Sequence, residues 1–176
     1  MKKVLVVIDM QNDFIDGALG TEQAVKIVGN VVEKIREYEG RTVFATRDTH
    51  EENYLETAEG RHLPVPHCIR GTEGWEIRTE IAEALAKADA QVIDKPTFGS
   101  EVLARKLQKM AEQEELEIEL VGLCTDICVV SNALLIKAKL PETPLRVDGA
   151  CCAGVTAKSH EAALLTMSMC QVDVGI

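Results

Sequence analysis

Five apolar residues in a row, Val4-Leu5-Val6-Val7-Ile8, end on Asp9. No polar position interrupts them, which is the pattern of a strand buried on both faces of a sheet. The period then changes: Val25, Val28, Val32 and Ile35 fall on one face of a helix over 21–39, with Gly40 as its stop. Thr42-Val43-Phe44-Ala45-Thr46 reads as a second strand. After it a long connection runs from Arg47 to about Gly74 and carries three of the four histidines together with Pro64 and Pro66. A connection of that length within a compact domain is commonly functional. Beyond it the alternation resumes, with a helix over Thr79–Lys87, a strand over 91–94, and a helix over 101–113 that Ser100 caps. A strand over 116–122 leads into a helix over 126–139, apolar on most faces through Val129, Val130, Ala133, Leu134 and Ile136 and therefore buried. A strand over 144–147, a helix over 156–169 and a strand over 171–174 close the chain. Strand and helix alternate without repeats or a linker. The prediction is an α/β fold, a Rossmann-like doubly wound six-stranded parallel sheet with helices on both faces, in one domain over 1–176.

Composition narrows the picture. With 176 residues, 46% of them apolar, the chain can bury a sizeable core, and with only 3% aromatic residues that core must be mainly aliphatic. The formal charge of −10 comes from 29 acids against 19 bases, and no basic stripe or cluster stands out. Nucleic-acid binding is disfavoured accordingly. The cysteines are Cys68, Cys124, Cys128, Cys151, Cys152 and Cys170. Their even number would allow disulfides, but Val/Leu/Ile-rich strands and the lack of a signal segment favour reduced thiols. Met1-Lys2-Lys3 runs straight into an apolar strand too short for a secretory h-region. The longest apolar stretch, 121–136, is broken by Thr125, Asp126, Ser131 and Asn132, so a membrane span is not expected. The expected setting is the cytoplasm.

Candidate chemistry clusters at the ends of the strands, and buried parallel strands deliver their carboxyl ends to one crevice. Cys128 falls near the first turn of the helix after strand four, where unpaired N–H groups and a neighbouring ammonium favour a thiolate. Lys95, after strand three, can supply that ammonium. Asp9, after strand one, can take the thiol proton and return it to a departing amine. Backbone N–H groups around the turn from Cys124 to Cys128 can hold an oxyanion. Asp48 and His50, two apart on an extended segment, point the same way, and His67 returns to them after the loop folds back. Nitrogen and oxygen ligands of this kind suit zinc, and also manganese or iron. Other residues have plainer readings: Trp75 as a packing anchor, Cys151-Cys152 in a strand-to-helix turn, and His160 as a structural or subunit-contact residue.

Three segments carry a resemblance to a known family. Val7-Ile8-Asp9-Met10-Gln11-Asn12-Asp13-Phe14, Asp94-Lys95-Pro96-Thr97-Phe98 and Gly122-Leu123-Cys124-Thr125-Asp126-Ile127-Cys128-Val129 resemble, in order and spacing, segments of the nicotinamidase/isochorismatase-like cysteine hydrolases. The resemblance covers nearly the whole chain, and the third segment is the most specific. It implies Cys128 as nucleophile, Asp9 as proton shuttle, Lys95 as electrostatic partner, and a cis peptide between Leu123 and Cys124 that aims the N–H groups of Cys124 and Cys128 at the oxyanion. Pro66-His67-Cys68 is similar to the histidine segment of the family's metal site. Glu59 resembles in placement a glutamate ligand that some members add, with Glu56 and His62 as competitors. Phe14 and Phe98 resemble pocket aromatics. Leu63 and Pro64 stand where many nicotinamidases have a stacking aromatic. The resemblance implies a metal-dependent amidohydrolase that converts nicotinamide to nicotinate and ammonia through a thioester, usually as a homo-oligomer. The alternatives are another small amide or carbamoyl hydrolase of the same family and, from a different class, a redox sensor pairing Cys124 with Cys128. Cys128 argues against a true isochorismatase, which acts on a vinyl ether and lacks that nucleophile.

Overall fold

The computed structural model describes residues 1–175; Ile176, the last position of the expected domain, lies outside them. Six parallel strands form one sheet in the order β3-β2-β1-β4-β5-β6. β1 (Lys2–Ile8) lies between β2 (Thr42–Asp48) and β4 (Leu116–Leu123), in register Val6↔Phe44 and Val6↔Leu120. From Val4 onward every residue of β1 is buried, which explains its uninterrupted apolar run. β3 (Gln91–Lys95), β5 (Leu145–Ala153) and β6 (Asp173–Gly175) complete the sheet.

Alternate side chains of β1 supply two cores. Leu5 and Val7 face α1 (Asn12–Ile15), α2 (Glu22–Glu37) and α4 (Thr79–Lys87), packing with Ile15, Val31, Ile35 and Ile81. Val4, Val6 and Ile8 face α5 (Glu101–Ala111), α6 (Val130–Lys139) and α7 (Ala157–Met169), packing with Leu103, Leu107, Ile136 and Met167. The helices therefore cover both faces, as the alternation of elements predicts. Ser100 caps α5 by accepting the Leu103 N–H at 3.2 Å.

The strand order reverses direction between β1 and β4, and at such a switch the loops leaving the two strands diverge to open a crevice at their carboxyl ends. Gly122 makes the close approach there. It has φ +117°, and a Cβ at this position would lie 2.1 Å from Ile8 O. Two features depart from the sequence reading. The long connection after β2 is folded: it holds a 3-10 turn (Tyr54–Glu56) and the short helix α3 (Ala58–His62). β5 does not stop at Val147. Its register with β4 jumps from Leu120↔Val147 to Gly122↔Cys152, so the strand bulges through Asp148-Gly149 and continues. Cys151 and Cys152 accordingly lie buried within a strand and not in a turn.

Candidate active site

Asp9 leaves β1 in the left-handed region, φ 46°, a conformation Asp tolerates better than most residues. Its carboxylate accepts a hydrogen bond from Thr46 Oγ1 at 2.7 Å and pairs with Lys95 Nζ at 2.7 Å. Lys95, the last residue of β3, also approaches Cys128 Sγ at 3.4 Å and Asp48 Oδ1 at 3.5 Å, and donates to Thr97 O at 3.1 Å. Asp9, Lys95 and Cys128 are 0%, 1% and 3% exposed. The structure thus brings together three residues from three strand ends that lie far apart in the sequence, Lys95 and Cys128 being separated by 33 positions.

Burial and charge work against each other in this cluster. Burial pushes the Asp9 carboxyl up; the Lys95 ammonium opposes this and Asp48 reinforces it, leaving Asp9 above the ordinary carboxylate range. Burial disfavours the Lys95 ammonium, yet Asp9, Cys128 and Asp48 outweigh it and keep the lysine charged. Burial, followed by Asp9, raises the Cys128 thiol well above its usual value against the pull of Lys95. Cys128 lies inside a single π-helical turn (Thr125–Val129) and not at a free helix end, so burial opposes the thiolate that the neighbouring ammonium favours.

The turn that carries Cys128 follows a cis peptide between Leu123 and Cys124. Cys124 O accepts from the N–H groups of Ile127 (3.1 Å) and Val129 (3.0 Å), which winds the turn tightly around Cys128.

A second group of donors lies beside the first. One atom from each of Asp48, His50, Glu59 and His67 lies within 4.8 Å of the others. The folded loop achieves this through backbone pairing: His50 N–H donates to Cys68 O and Arg70 N–H to His50 O, which sets His67 next to His50. His67 donates Nδ1–H to Val65 O at 2.8 Å and turns Nε2 towards Asp48 Oδ2 and Glu59 Oε1, each at 3.6 Å. His50 Nε2 lies 2.9 Å from Asp48 Oδ2 and 3.6 Å from Glu59 Oε1. Burial works against the Asp48 charge, but hydrogen bonds from His50 and His67 hold its carboxyl well below the usual range. Burial also opposes charge on His67, yet Asp48 and the Val65 carbonyl draw its pKa up. A spot that attracts protons and gathers two imidazoles with two carboxylates has the donor chemistry of a divalent transition-metal site. The four residues fit such an ion. Glu59 takes the fourth place; Glu56 stands outside the group, and His62 lines the neighbouring cavity instead.

That cavity, about 310 Å³, is lined by members of both groups. Phe14, Leu19, Leu63, Phe98 and Ile127 wall it together with Cys124, Cys128, Asp48, Glu59 and His67. Phe14 is buried, whereas Leu63 and Phe98 are 36% and 40% exposed at its mouth.

Three supporting residues escaped the sequence reading. Gln11 clamps Asp48 by both polar ends: Nε2 donates to Asp48 O and Trp75 O, and Oε1 accepts from Asp48 N–H, each at 2.8 Å. Asp13 Oδ2 accepts from Cys68 N–H at 2.8 Å and fixes the loop next to His67. Tyr54 sets its ring edgewise against both His50 and His67 and donates its hydroxyl to Leu63 O at 2.8 Å. Gln11 and Asp13 carry one legible signal: they are polar positions directly after a fully apolar strand. Trp75 is the expected anchor, stacked under the Arg47 guanidinium at 3.6 Å and donating Nε1–H to Thr49 Oγ1.

Known proteins share the sequence pattern and the fold of this chain. An isochorismatase family protein, PncA, of Bacillus subtilis (strain 168) is 30% identical over 143 residues, covering 76% of this chain and 78% of the relative. The crystal structure of nicotinamidase/pyrazinamidase PncA from Bacillus subtilis superposes with a TM-score of 0.86 at 27% identity over 100% of both chains. That of the pyrazinamidase of Pyrococcus horikoshii in complex with zinc gives 0.82 at 28% identity, covering 99% of this chain and 98% of the other. A family model described as the isochorismatase domain matches residues 3–175, and the chain accordingly belongs to the isochorismatase family of hydrolases.

Proposed function

We propose that this chain is a metal-dependent amidohydrolase converting nicotinamide to nicotinate and ammonia through a thioester on Cys128. One observation carries the reading: a single apolar cavity is lined both by Cys128, which the Asp9–Lys95 pair adjoins, and by Asp48, Glu59 and His67 of the four-residue donor set. A small flat amide with a basic ring atom suits a cavity that brings a thiol and metal-binding side chains to one apolar space. Similarity to a nicotinamidase/pyrazinamidase and to a pyrazinamidase in complex with zinc supports the same reading.

In this reading Asp9 takes the proton from Sγ as the thiol attacks the carboxamide carbon, and Lys95, 3.4 Å from the sulfur, stabilises the developing thiolate. The N–H groups of Cys124 and Cys128 receive the oxyanion of the tetrahedral intermediate. Asp9 then delivers its proton to the leaving nitrogen, so ammonia departs and a thioester remains. Water, deprotonated by Asp9, attacks the thioester, and the proton returns to sulfur as the carboxylate product leaves. A divalent metal held by Asp48, His50, Glu59 and His67, with zinc first and manganese or iron as alternatives, supplies a Lewis-acidic point for a ring nitrogen and so orients the carboxamide. A small amide or carbamoyl substrate other than nicotinamide is the second reading. It is favoured by the aliphatic walls Leu19, Leu63 and Ile127, which offer less stacking than an aromatic would.

A redox sensor built on Cys124 and Cys128 is a poorer fit. Both thiols are free, burial pushes Cys124 up to about 12 and Cys128 higher than its usual value, and sensor thiols need the opposite shift. The reading also includes a cytoplasmic setting, which six free cysteines suit, and self-association. Among the described residues no helix is long and apolar enough to cross a membrane.

Ammonia release from nicotinamide, before and after chelation and with zinc or manganese restored, tests the proposal. The expected result is metal-dependent turnover that Cys128→Ala lowers by roughly 10⁴-fold or more. Turnover that survives Cys128→Ala would overturn the nucleophile. Protein inactive on nicotinamide with every metal would overturn the substrate.

A further inference from the structure

The nucleophile turn is wound as one π turn, a wide helical turn that is rarely stable alone and that recurs at functional sites. Its backbone closes on itself through Cys124 O and Thr125 O. Two side chains also tie it to the connection between β5 and α7 and to α7 itself. The Asp126 carboxylate accepts the Val155 N–H at 3.2 Å. Thr125 Oγ1 and His160 Nδ1 share a hydrogen bond of 2.8 Å. Thr125 is fully buried, and among the described residues His160 is the one side chain that bonds its hydroxyl.

His160 is itself held firmly. It sits in the first turn of α7, whose start is locked by reciprocal bonds: Thr156 Oγ1 accepts from Ser159 N–H at 3.0 Å, and Ser159 Oγ accepts from Thr156 N–H at 3.1 Å. The chain entering the helix passes so close that a Cβ on residue 154 would lie 2.9 Å from His160 Cβ, and Gly154 permits that approach. The imidazole is thus a fixed point outside the substrate cavity, one hydrogen bond from the residue between Cys124 and Asp126.

We propose that His160 is a positioning residue: through Thr125 it fixes the backbone that presents the Cys124 and Cys128 N–H groups to the oxyanion. The inference rests on the hydrolase reading of this turn. Oxyanion donors act only when they stand at hydrogen-bonding distance from the charge that develops, so a small rotation of the turn lowers the rate without changing how substrate sits in the cavity.

The test compares His160→Ala, His160→Asn, His160→Gln and Thr125→Val, with ammonia release from nicotinamide as the readout. His160→Ala lowers kcat roughly ten- to a hundred-fold with KM within about twofold. His160→Asn, whose amide can occupy the Nδ1 position, restores kcat to within about threefold, whereas His160→Gln, whose amide reaches the Nε2 position, does not. Thr125→Val reproduces the loss, and the double variant Thr125→Val/His160→Ala is no slower than either single one. Equal rates for the Asn and Gln variants, additive losses in the double variant, or KM rising with kcat intact would each overturn the proposal. The Asn/Gln pair decides the matter even if His160→Ala fails to fold. Wild-type protein inactive on nicotinamide would sink the substrate reading alone. The brace is then read by hydrogen exchange of the amides of 124–130, expected to quicken in His160→Ala and Thr125→Val and not in His160→Asn; unchanged exchange overturns it.

Discussion

Two carbonyls and one N–H meet at the side chain of Gln11, and all three lie in buried surroundings. Gln11→Ala leaves them without partners. Each such group costs about 1–3 kcal/mol, so the urea unfolding midpoint should fall by the equivalent of about 3 kcal/mol or more. Metal affinity should fall as well, by roughly 10–100-fold in a zinc titration, because Asp48 loses the residue that orients its backbone. The electrostatics of the thiol give a second expectation at this scale, with opposite signs for two readouts. The Asp9 charge raises the Cys128 thiol, so Asp9→Asn lowers its pKa while Lys95 remains charged nearby. Iodoacetamide should then modify Cys128 faster than in the parent at pH 7, as read on its peptide by mass spectrometry, although turnover disappears. Slower alkylation in Asp9→Asn would show that Asp9 deprotonates the thiol before substrate arrives. Asp9, Lys95 and Cys128 were legible in the sequence because each ends or follows a strand, and strand ends converge. Gln11, Tyr54 and the link from His160 to Thr125 were not, since each depends on a partner brought close only by the finished fold.

Elements place the chemistry through their ends more than through their lengths. β2 and β3 end at Asp48 and Lys95, β1 and β4 run into Asp9 and the turn that carries Cys128, and the seam between β1 and β4 closes at Gly122. Gly122→Ala must place a methyl against the Ile8 carbonyl at a φ that alanine avoids. It should destabilise by about 3 kcal/mol or more and reduce activity in whatever fraction stays folded, as measured by urea unfolding and ammonia release. Strand and helix periods predicted these elements well because each has a clear apolar face or run. The bulged β5 was cut short at Val147 because Asp148-Gly149 reads as a turn; in the sheet, the jump in register absorbs those residues and the strand resumes. The connection after β2 reads in the sequence only as a long, functional segment for the complementary reason. Its order comes from the pairing of His50 with Ile69 and from Asp13, with no apolar period of its own.

On the scale of the whole molecule, charge is distributed unevenly between the site and the flank of the sheet. Lys34 of α2 pairs with Asp148 at 3.0 Å, Glu119 at 3.3 Å and Glu37 at 3.4 Å, while Tyr38 donates its hydroxyl to Glu119. Burial opposes the Lys34 charge, but these carboxylates raise its pKa above the ordinary lysine value. A raised cation pKa stabilises the fold fully below the unfolded value of about 10.5 and loses that contribution as pH climbs through the folded value. Urea midpoints should therefore decline above about pH 10.5 more steeply in the parent than in Lys34→Met, which starts lower and lacks this titration. An equal decline in both would assign the alkaline loss elsewhere. The strand order has a further consequence. Everything from β1 to α5 builds one half of the sheet, everything from β4 to β6 builds the other, and the peptide joins them once, through the exposed residues 112–115. Asp9, Lys95 and the proposed metal ligands travel with the first half and Cys128 with the second. Cut between Glu112 and Gln113, the chain should yield two fragments that are inactive apart, and ammonia release on mixing them would report their reunion.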